Sequence, residues 1–327
     1  MPQKKNSPSP GIVISVVPSS LTTTRVILPV VSSLLHVIVA PSNSVVPPVG
    51  ELLFDEPPGD VHIKYGYIKS QDNYVVKIAS GFSNNEQLGL SSSHGVMVMF
   101  DKNTGYLKCL LHDEGYLTNV RTAIAGAICA KYLAPKEVKG IGIIGNGIQA
   151  RMQLEYIKDI VNCKEVYILG RDSSRVERYI DDMKKFDFNM NVVNNSKELC
   201  ENSNLIITTT NANESLIFKD DVKKGTHITA VGSDTPDKRE LDPEILKMAD
   251  SLVVDSIPQC LERGETKKAL DKDLISEDKL IELGEIIDSG KKYRKDDEEI
   301  TVADLTGVAV QDIMITNAVY KQLKIEK

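Results

Sequence analysis

The sequence predicts an α/β protein: a doubly wound parallel sheet preceded by a smaller α+β domain. Three observations predict it. From about residue 141 apolar strands alternate with helical stretches (GIGIIG, EVYILG, LIITTT, HITAVG, SLVVDS), the order produced by parallel strands joined through crossover helices. Residues 46 to 100 instead hold short β-like runs (HIKYGYI, YVVKIAS, GVMVMFD) separated by turn formers, as in an antiparallel sheet. The 327 residues also exceed the ~250–300 at which a single core stops growing, so two domains are expected.

Taken in order, GIVISVV (11–17) fits a buried strand, and Leu21 to Ala40, after Pro18-Ser19-Ser20, fits a helix. The strands up to Phe100 are punctuated by Pro57-Pro58-Gly59, Ser70-Gln71-Asp72-Asn73 and Asn84-Asn85. DKNTGYLKCLL (101–111) reads as a hairpin that turns at Asn103-Thr104-Gly105. Arg121 then opens an alanine-rich helix, RTAIAGAICAKYLA, whose small residues permit close packing. Helices are expected from about Ile148 and Ser174 between the parallel strands. The charged run KKYRKDDEE (291–299) reads as a solvated loop. The closing segment 298–323 reads as a strand, a glycine turn and a helix returning to the first domain.

Composition narrows the partners. A net charge of -7, with 41% hydrophobic and 26% charged residues, gives no general attraction to nucleic acid or anionic membranes and favours small, soluble partners. The first 50 residues carry Lys4, Lys5 and Arg25 and no acid, leaving 36 bases against 46 acids, or -10, in the rest. That asymmetry is compatible with a transit peptide, but the strand and helix of an N-terminal domain are the preferred reading. VILPVVSSLLHVIVA is broken by Pro29, two serines and His36 and is shorter than the ~20 apolar residues of a membrane span, so no membrane role is expected. Cys109, Cys129, Cys163, Cys200 and Cys260 form no CxxC pair and have no histidines at metal-ligand spacing. They read as buried thiols in a reducing cytoplasm, with no metal site.

KGIGIIGNGIQARMQLEY (139–156) concentrates the chemistry. Gly145, Gly147 and Ala150 make a GxGxxA turn between an apolar strand and a helix, the context in which such a motif cradles a dinucleotide. Gly145 permits the turn, Gly147 lets backbone approach a pyrophosphate, and Ala150 allows helix and strand to pack closely. The helix N-terminus offers amide groups to the phosphates and Gln149 a side-chain hydrogen bond. Asn146 and Ile148 belong to the same turn, and Thr209, Val231 and Gly232, at the ends of the strands LIITTT and HITAVG, complete the cofactor set. After the second strand stand Arg171, suited to a 2′-phosphate or to adenine stacking, and Asp172, suited to a ribose diol. Both NAD and NADP, oxidised or reduced, therefore remain open.

Asp234 lies just past a predicted parallel strand, where ligands of doubly wound sheets collect, and can serve as general acid or base if burial raises its pKa. It can equally be a turn residue before Pro236. Lys77, inside an apolar strand, and Arg121 suit a substrate carboxylate, with internal ion pairs as the alternative. His62 and Lys64 share one face of HIKYGYI, either towards substrate or on the solvent side of an edge strand.

Together, GNGIQARMQL, LTNVRTAIAGAICAKYLAP, GSDTPDKRELDPE and DLTGVAVQD resemble the ornithine cyclodeaminase/mu-crystallin family over about residues 45–323. The resemblance implies a substrate-binding and dimerisation domain of residues 1–121, with 311–327 returning to it, and a Rossmann domain of 122–310. By motif, Lys77 and Arg121 fall on positions that hold the substrate carboxylate, Lys238 on a substrate-side lysine, and Asp234 on the catalytic acid/base. Lys77 counts with Asp234 among the catalytic residues. The expected activity is NAD(P)-dependent chemistry at the α-carbon of an amino or imino acid by a homodimer, first L-ornithine to L-proline plus ammonia by internal hydride transfer. The alternatives are an NAD(P)H-dependent ketimine reductase, an alanine-type dehydrogenase, or a non-catalytic NADPH binder. Two departures stand out. VVPPVGELLF lacks the arginine many relatives carry there, and HIKYGYI offers Lys64 and His62 where a carboxylate for a distal amine is expected, leaving Glu51, Asp55 or Asp60 as substitutes.

Overall fold

The computed structural model describes residues 13–16, 22–24, 44–45, 49–290 and 292–325. It divides into two units, one built of Asn43–Arg121 and Ala309–Lys327 with the two N-terminal strands, the other of Thr122–Val308.

The first unit is an antiparallel sheet of β1 (Val13–Val16), β2 (Thr22–Thr24), β3 (Ser44–Val45), β4 (Gly50–Phe54), β5 (Gly59–Ile68), β6 (Asn73–Gly81), β7 (Ser93–Asp101) and β8 (Leu107–His112). Their order is β2-β1-β8-β7-β6-β5-β3, with β4 also paired to β5. GIVISVV thus supplies a strand, paired to β8. The helix expected over 21–40 falls outside the described residues except at Thr22–Thr24, where the chain is a strand paired to β1. The β7–β8 hairpin turns where expected, because one Asp101 carboxylate oxygen accepts the amides of Asn103 and Thr104 and the Thr104 hydroxyl, all at 3.0 Å. β5 is not an edge strand, since β6 pairs along one side of it and β3 and β4 along the other.

Helix α1 (Tyr116–Leu133) begins five residues before Arg121. The Asp113 carboxylate accepts the Leu117 amide at 2.5 Å, and buried Leu117, Val120 and Ile124 extend the apolar period backwards. Arg121 is therefore in the second turn of the helix rather than at its start.

The second unit runs β9 (Ile141–Ile144), α2 (Ile148–Ile157), β10 (Glu165–Leu169), α3 (Ser173–Met183), β11 (Asn189–Val192), α4 (Ser196–Asn202), β12 (Leu205–Thr208), β13 (His227–Ala230), α5 (Pro243–Met248), β14 (Ser251–Val254), α6 (Ile257–Cys260), α7 (Gly264–Leu270), β15 (Leu280–Glu282), α8 (Leu283–Asp288) and β16 (Thr301–Asp304). All neighbours in the order β11-β10-β9-β12-β13-β16-β14-β15 are parallel. β9, β12, β13, β14 and β16 are buried at every residue, which is why they read as short, largely apolar or β-branched runs without alternation. β11 and β15 sit at the edges; NMNV is polar and LIE is three residues long, so neither stood out. The winding reverses between β9 and β12, and ligands of such sheets collect at the carboxyl ends of strands there.

Residues 292–299 form the expected loop, exposed at Lys292 and from Lys295 to Glu298, but Arg294 departs from the solvated reading. It is buried, its Nε donates to the Leu133 carbonyl at 2.6 Å, and its guanidinium donates to the carbonyls of Thr226 and Glu299 and to the Thr301 hydroxyl. A planar fork of donors satisfies carbonyls that the irregular backbone leaves unpaired. All five cysteines are free, but Cys163 is only half-buried, unlike the other four. Among the described residues, no helix is long and apolar enough to cross a membrane.

After β16 the chain turns at Gly307 into α9 (Ala309–Ile325), which belongs to the first unit and packs on β5, β6 and β7. Asn317 fixes it, its amide accepting from Asn73 at 2.8 Å and donating to Gln71 at 2.9 Å. The Thr316 hydroxyl lies 3.1 Å from the Met97 sulfur.

Candidate active site

On the α9 face of the first unit, three cations converge on one carboxylate. Lys64 and Lys77 are directly opposed on β5 and β6 and are 8% and 1% exposed; Arg121 is 5% exposed. Like charges facing each other across two strands are unfavourable, and burial adds to the penalty. The compensating group is Asp312, one turn into α9 and 1% exposed, with Lys77 Nζ 2.9 Å and Arg121 Nε 3.1 Å from its oxygens. Arg121 also donates from Nη1 to Gln311 Oε1 at 2.8 Å, which fixes its plane. Burial, reinforced by Arg121, pulls the Lys77 ammonium from 10.5 down to about 7. Burial pushes the Asp312 carboxyl up, but Lys77, Arg121 and Lys64 together outweigh it and hold the group below its ordinary value. The cluster carries an excess of positive charge, which a ligand carboxylate would neutralise.

Lys64 thus belongs to the buried cluster rather than to a solvent-facing strand surface. His62 is held apart from it, with Nδ1 3.3 Å from Glu51 and Nε2 3.4 Å from Asp60. Two of the acids considered for a distal amine are therefore already beside an imidazole. Asp312 and Gln311 were missed by sequence reasoning. The available signal was a lone acid amid the apolar residues of VAVQDIMI, set against a lysine in an apolar strand that required a partner.

In the second unit the glycine turn has the form a pyrophosphate site needs. Gly145 has φ +111°, and a Cβ there would lie 2.6 Å from the Thr209 hydroxyl. Gly147 is different: its φ is -83° and a Cβ would meet nothing within 4 Å, so the fold itself does not demand glycine there. A ligand approaching the backbone does. No side chain caps the N-terminus of α2, leaving its amides to such a ligand. Ala150 is fully buried, Ile148 is exposed, and Gln149 accepts from Gln153 Nε2 at 3.4 Å. Arg151 closes the turn from beneath by donating to the carbonyls of Asn146 and Gly147.

Asp234 lies four residues past β13, within the loop that follows it. Its environment is set by an ammonium rather than by burial: the side chain is 44% exposed and Lys238 Nζ stands 2.6 Å from its carboxylate. The Ser233 hydroxyl donates to the Lys238 carbonyl at 2.8 Å and closes this loop.

Below the loop is a clasp that the sequence reading also missed. Glu240 is fully buried; its carboxylate accepts the amides of Thr210 (2.5 Å) and Gly232 (2.9 Å) and the Thr208 hydroxyl (2.7 Å). One side chain so ties the segments after β12 and β13 that carry Thr209, Val231 and Gly232. Glu265 in turn accepts the amides of Glu240 (2.6 Å) and Leu241 (3.2 Å). Burial raises both carboxyls, that of Glu265 further, with Asp304 and Glu240 adding repulsion.

Comparison with known proteins gives a consistent result. The profile of the ornithine cyclodeaminase/mu-crystallin family matches residues 45–327. An uncharacterized cyclodeaminase of Sinorhizobium fredii is 35% identical over 284 residues, covering 86% of each chain. A Delta(1)-pyrroline-2-carboxylate reductase of Bacillus cereus is 32% identical over 252 residues, 76% of each. Among solved structures, the Delta(1)-pyrroline-2-carboxylate reductase of Thermococcus litoralis, in complex with NADH and L-proline, superposes with a TM-score of 0.81 at 28% identity over 87% of this chain and 88% of that one. An archaeal alanine dehydrogenase dimer with bound NAD gives 0.79 at 30% identity over 87% of each. The chain belongs to the ornithine cyclodeaminase/mu-crystallin family.

Proposed function

We propose that the protein is an NAD(P)H-dependent reductase of α-imino acids, with a cyclic imine such as pyrroline-2-carboxylate or the imine of a small 2-oxo acid as substrate. The observation that carries this reading is the buried cation excess around Asp312, with Lys64 opposite Lys77. Arg121 and Lys77 orient the substrate carboxylate by charge-assisted hydrogen bonds. Lys64 disfavours a second ammonium on the substrate. A bound dinucleotide supplies the hydride for the imine carbon, and the turn at Gly145, Gly147 and Ala150, with Thr209, Val231 and Gly232, is suited to hold it. Asp234, with Lys238 beside it, delivers or removes the proton at nitrogen. The relatives that reduce pyrroline-2-carboxylate support this reading.

Internal hydride transfer on L-ornithine is the second reading. Glu51 and Asp60, beside His62, favour it as acids able to receive a distal amine. One experiment separates the two: NMR product analysis of the purified protein given pyrroline-2-carboxylate with NADH or NADPH, and L-ornithine with a trace of NAD. Proline formed only from the imine, with stoichiometric cofactor oxidation, is the expected result. Proline and ammonium from ornithine without net cofactor turnover would overturn it, and a folded protein that binds cofactor but turns over neither would point to a binding role.

A homodimer fits the other face of the antiparallel sheet, where Ile63, Tyr65, Val76, Ile78, Val96 and Val98 form an apolar surface with Tyr65 42% and Ile78 41% exposed. Light scattering on the wild type and on Ile78→Glu tests this, with a monomeric variant expected.

A further inference from the structure

We infer that the dinucleotide is NADP(H), selected by Arg171, a deduction that rests on the cofactor site of the proposed function. In sheets of this kind, discrimination lies about 20 residues beyond the glycine turn, at the end of the next strand, where an acid takes the ribose hydroxyls or a cation takes a 2′-phosphate. That strand is β10, paired in parallel to β9, and three features of its carboxyl end favour the phosphate.

The first residue past β10 is Gly170, and no side chain fits there: a Cβ would lie 2.6 Å from a Val176 methyl and 2.8 Å from the Asn146 amide nitrogen. An acid at that place is excluded by packing. Asp172, the acid that could replace it, is already engaged as the N-cap of α3. Its Oδ1 accepts the Ser174 hydroxyl at 2.7 Å and the Arg175 amide at 3.1 Å. Turning towards a ribose would uncap an 11-residue helix. Between them, Arg171 is exposed, and among the described residues no hydrogen bond, ion pair or ring contact engages its guanidinium. A second guanidinium, Arg175, stands in the first turn of α3. The Arg171 guanidinium, planar, permanently charged and without a partner among the described residues, stands next to a helix N-terminus; it suits a dianionic phosphate monoester and offers nothing specific to a diol.

The test is calorimetric binding on the intact protein, which needs no turnover. NADPH is expected to bind at least tenfold tighter than NADH, and adenosine 2′,5′-bisphosphate tighter than 5′-AMP, both preferences shrinking as salt rises. Arg171→Ala should weaken NADPH by tenfold or more and leave NADH within twofold; Arg171→Lys should recover part of the loss. Asp172→Asn retains a capping oxygen and should leave NADH binding unchanged. NADH equal to or tighter than NADPH, or loss of NADH binding in Asp172→Asn, would overturn the assignment while leaving the dinucleotide site intact. Failure of every nucleotide to bind the folded protein would overturn both.

Discussion

If the cations around Asp312 exist to receive a substrate carboxylate, removing Lys77 and removing Asp312 should act in opposite directions on stability. Lys77→Met keeps the length and apolar bulk of the stem and deletes one of three charges, leaving Asp312 paired to Arg121 at 3.1 Å. The fall in the Lys77 pKa from 10.5 to about 7 corresponds to roughly 5 kcal/mol of penalty for carrying the charge. Relaxation reduces this, so a gain of about 2 to 4 kcal/mol is expected, in the range seen when buried ionic groups give way to apolar ones. The sign with pH follows from the direction of the shift. Folded protein binds this proton less tightly than unfolded chain, so the wild type suffers no penalty above about pH 10.5 and loses stability as pH falls to about 7. The advantage of Lys77→Met should therefore vanish near pH 10.5 and be complete below 7. Asp312→Asn leaves the cations without their carboxylate and should cost about 3 to 5 kcal/mol. Urea unfolding between pH 6 and 10 measures both. The affinity of Lys77→Met for its carboxylate substrate should fall about 10- to 100-fold, the loss of one charge-assisted bond. If Lys77→Met is destabilised as much as Asp312→Asn, the cluster is a balanced internal salt bridge and the reasoning fails.

Three further outcomes are expected. Asp234→Asn should lower kcat by about 10²-fold or more while the calorimetric affinity for dinucleotide stays within about twofold, because the group moves a proton while Asn keeps an acceptor for Lys238 and the Ser233 hydroxyl still closes the loop. Glu240→Gln puts an amide NH2 against backbone N–H donors; the midpoint of unfolding should fall, with a loss of about 2 to 4 kcal/mol, and the cofactor Kd should rise, while Glu240→Ala is worse in both. Burial raises the Asp304 carboxyl to about 7, so its contribution to stability is full below about pH 4 and lost as pH rises to 7; Asp304→Asn keeps an acceptor for the Thr266 amide and should gain over the wild type across that window, by roughly 2 to 4 kcal/mol in urea titrations.

The central strands of the second unit were legible because burial on both faces leaves them largely apolar, unlike the edge strands β11 and β15, and the glycine turn because only a few residues satisfy its backbone. Much of what was not legible shares one cause: partners far apart in sequence. Lys77 announced itself as a lysine among β-branched residues, but nothing local identifies Asp312, 235 residues away, as its counter-ion. Arg294 looked like one more charge in a solvated run, because its acceptors are main-chain carbonyls that no composition reveals. Glu240 was passed over beside Asp234 and Lys238, since its carboxylate serves two backbone amides and a threonine hydroxyl 32 residues away rather than a charged partner that would betray it. The early start of α1 has a local cause instead: the Asp113 carboxylate accepts the Leu117 amide four residues on.

The charge arrangement also bears on which relatives this chain should follow in its chemistry. A site for a diamino acid must neutralise two opposite charges, a carboxylate and a distal ammonium, and hence needs an unengaged acid near its cations. Here the buried acids near the cations are Asp312, engaged by Lys77 and Arg121 at about 3 Å, and Asp113, which accepts the Leu117 amide through one oxygen and which burial keeps above its ordinary pKa, disfavouring the charge an ammonium would need. Glu51 and Asp60 lie beside His62, so an ammonium brought to them would compete with the imidazole. Changing Lys64 tests the point directly. Lys64→Glu turns the face towards an ammonium: activity on a carboxylate imine should drop at least tenfold, and L-ornithine should gain binding relative to L-proline in competition assays. Lys64→Met removes the charge without supplying an acid, and should weaken the imine without admitting ornithine. If Lys64→Glu leaves both affinities where they were, Lys64 plays no part in reading the substrate, and the case for an imine over a diamino acid loses its footing.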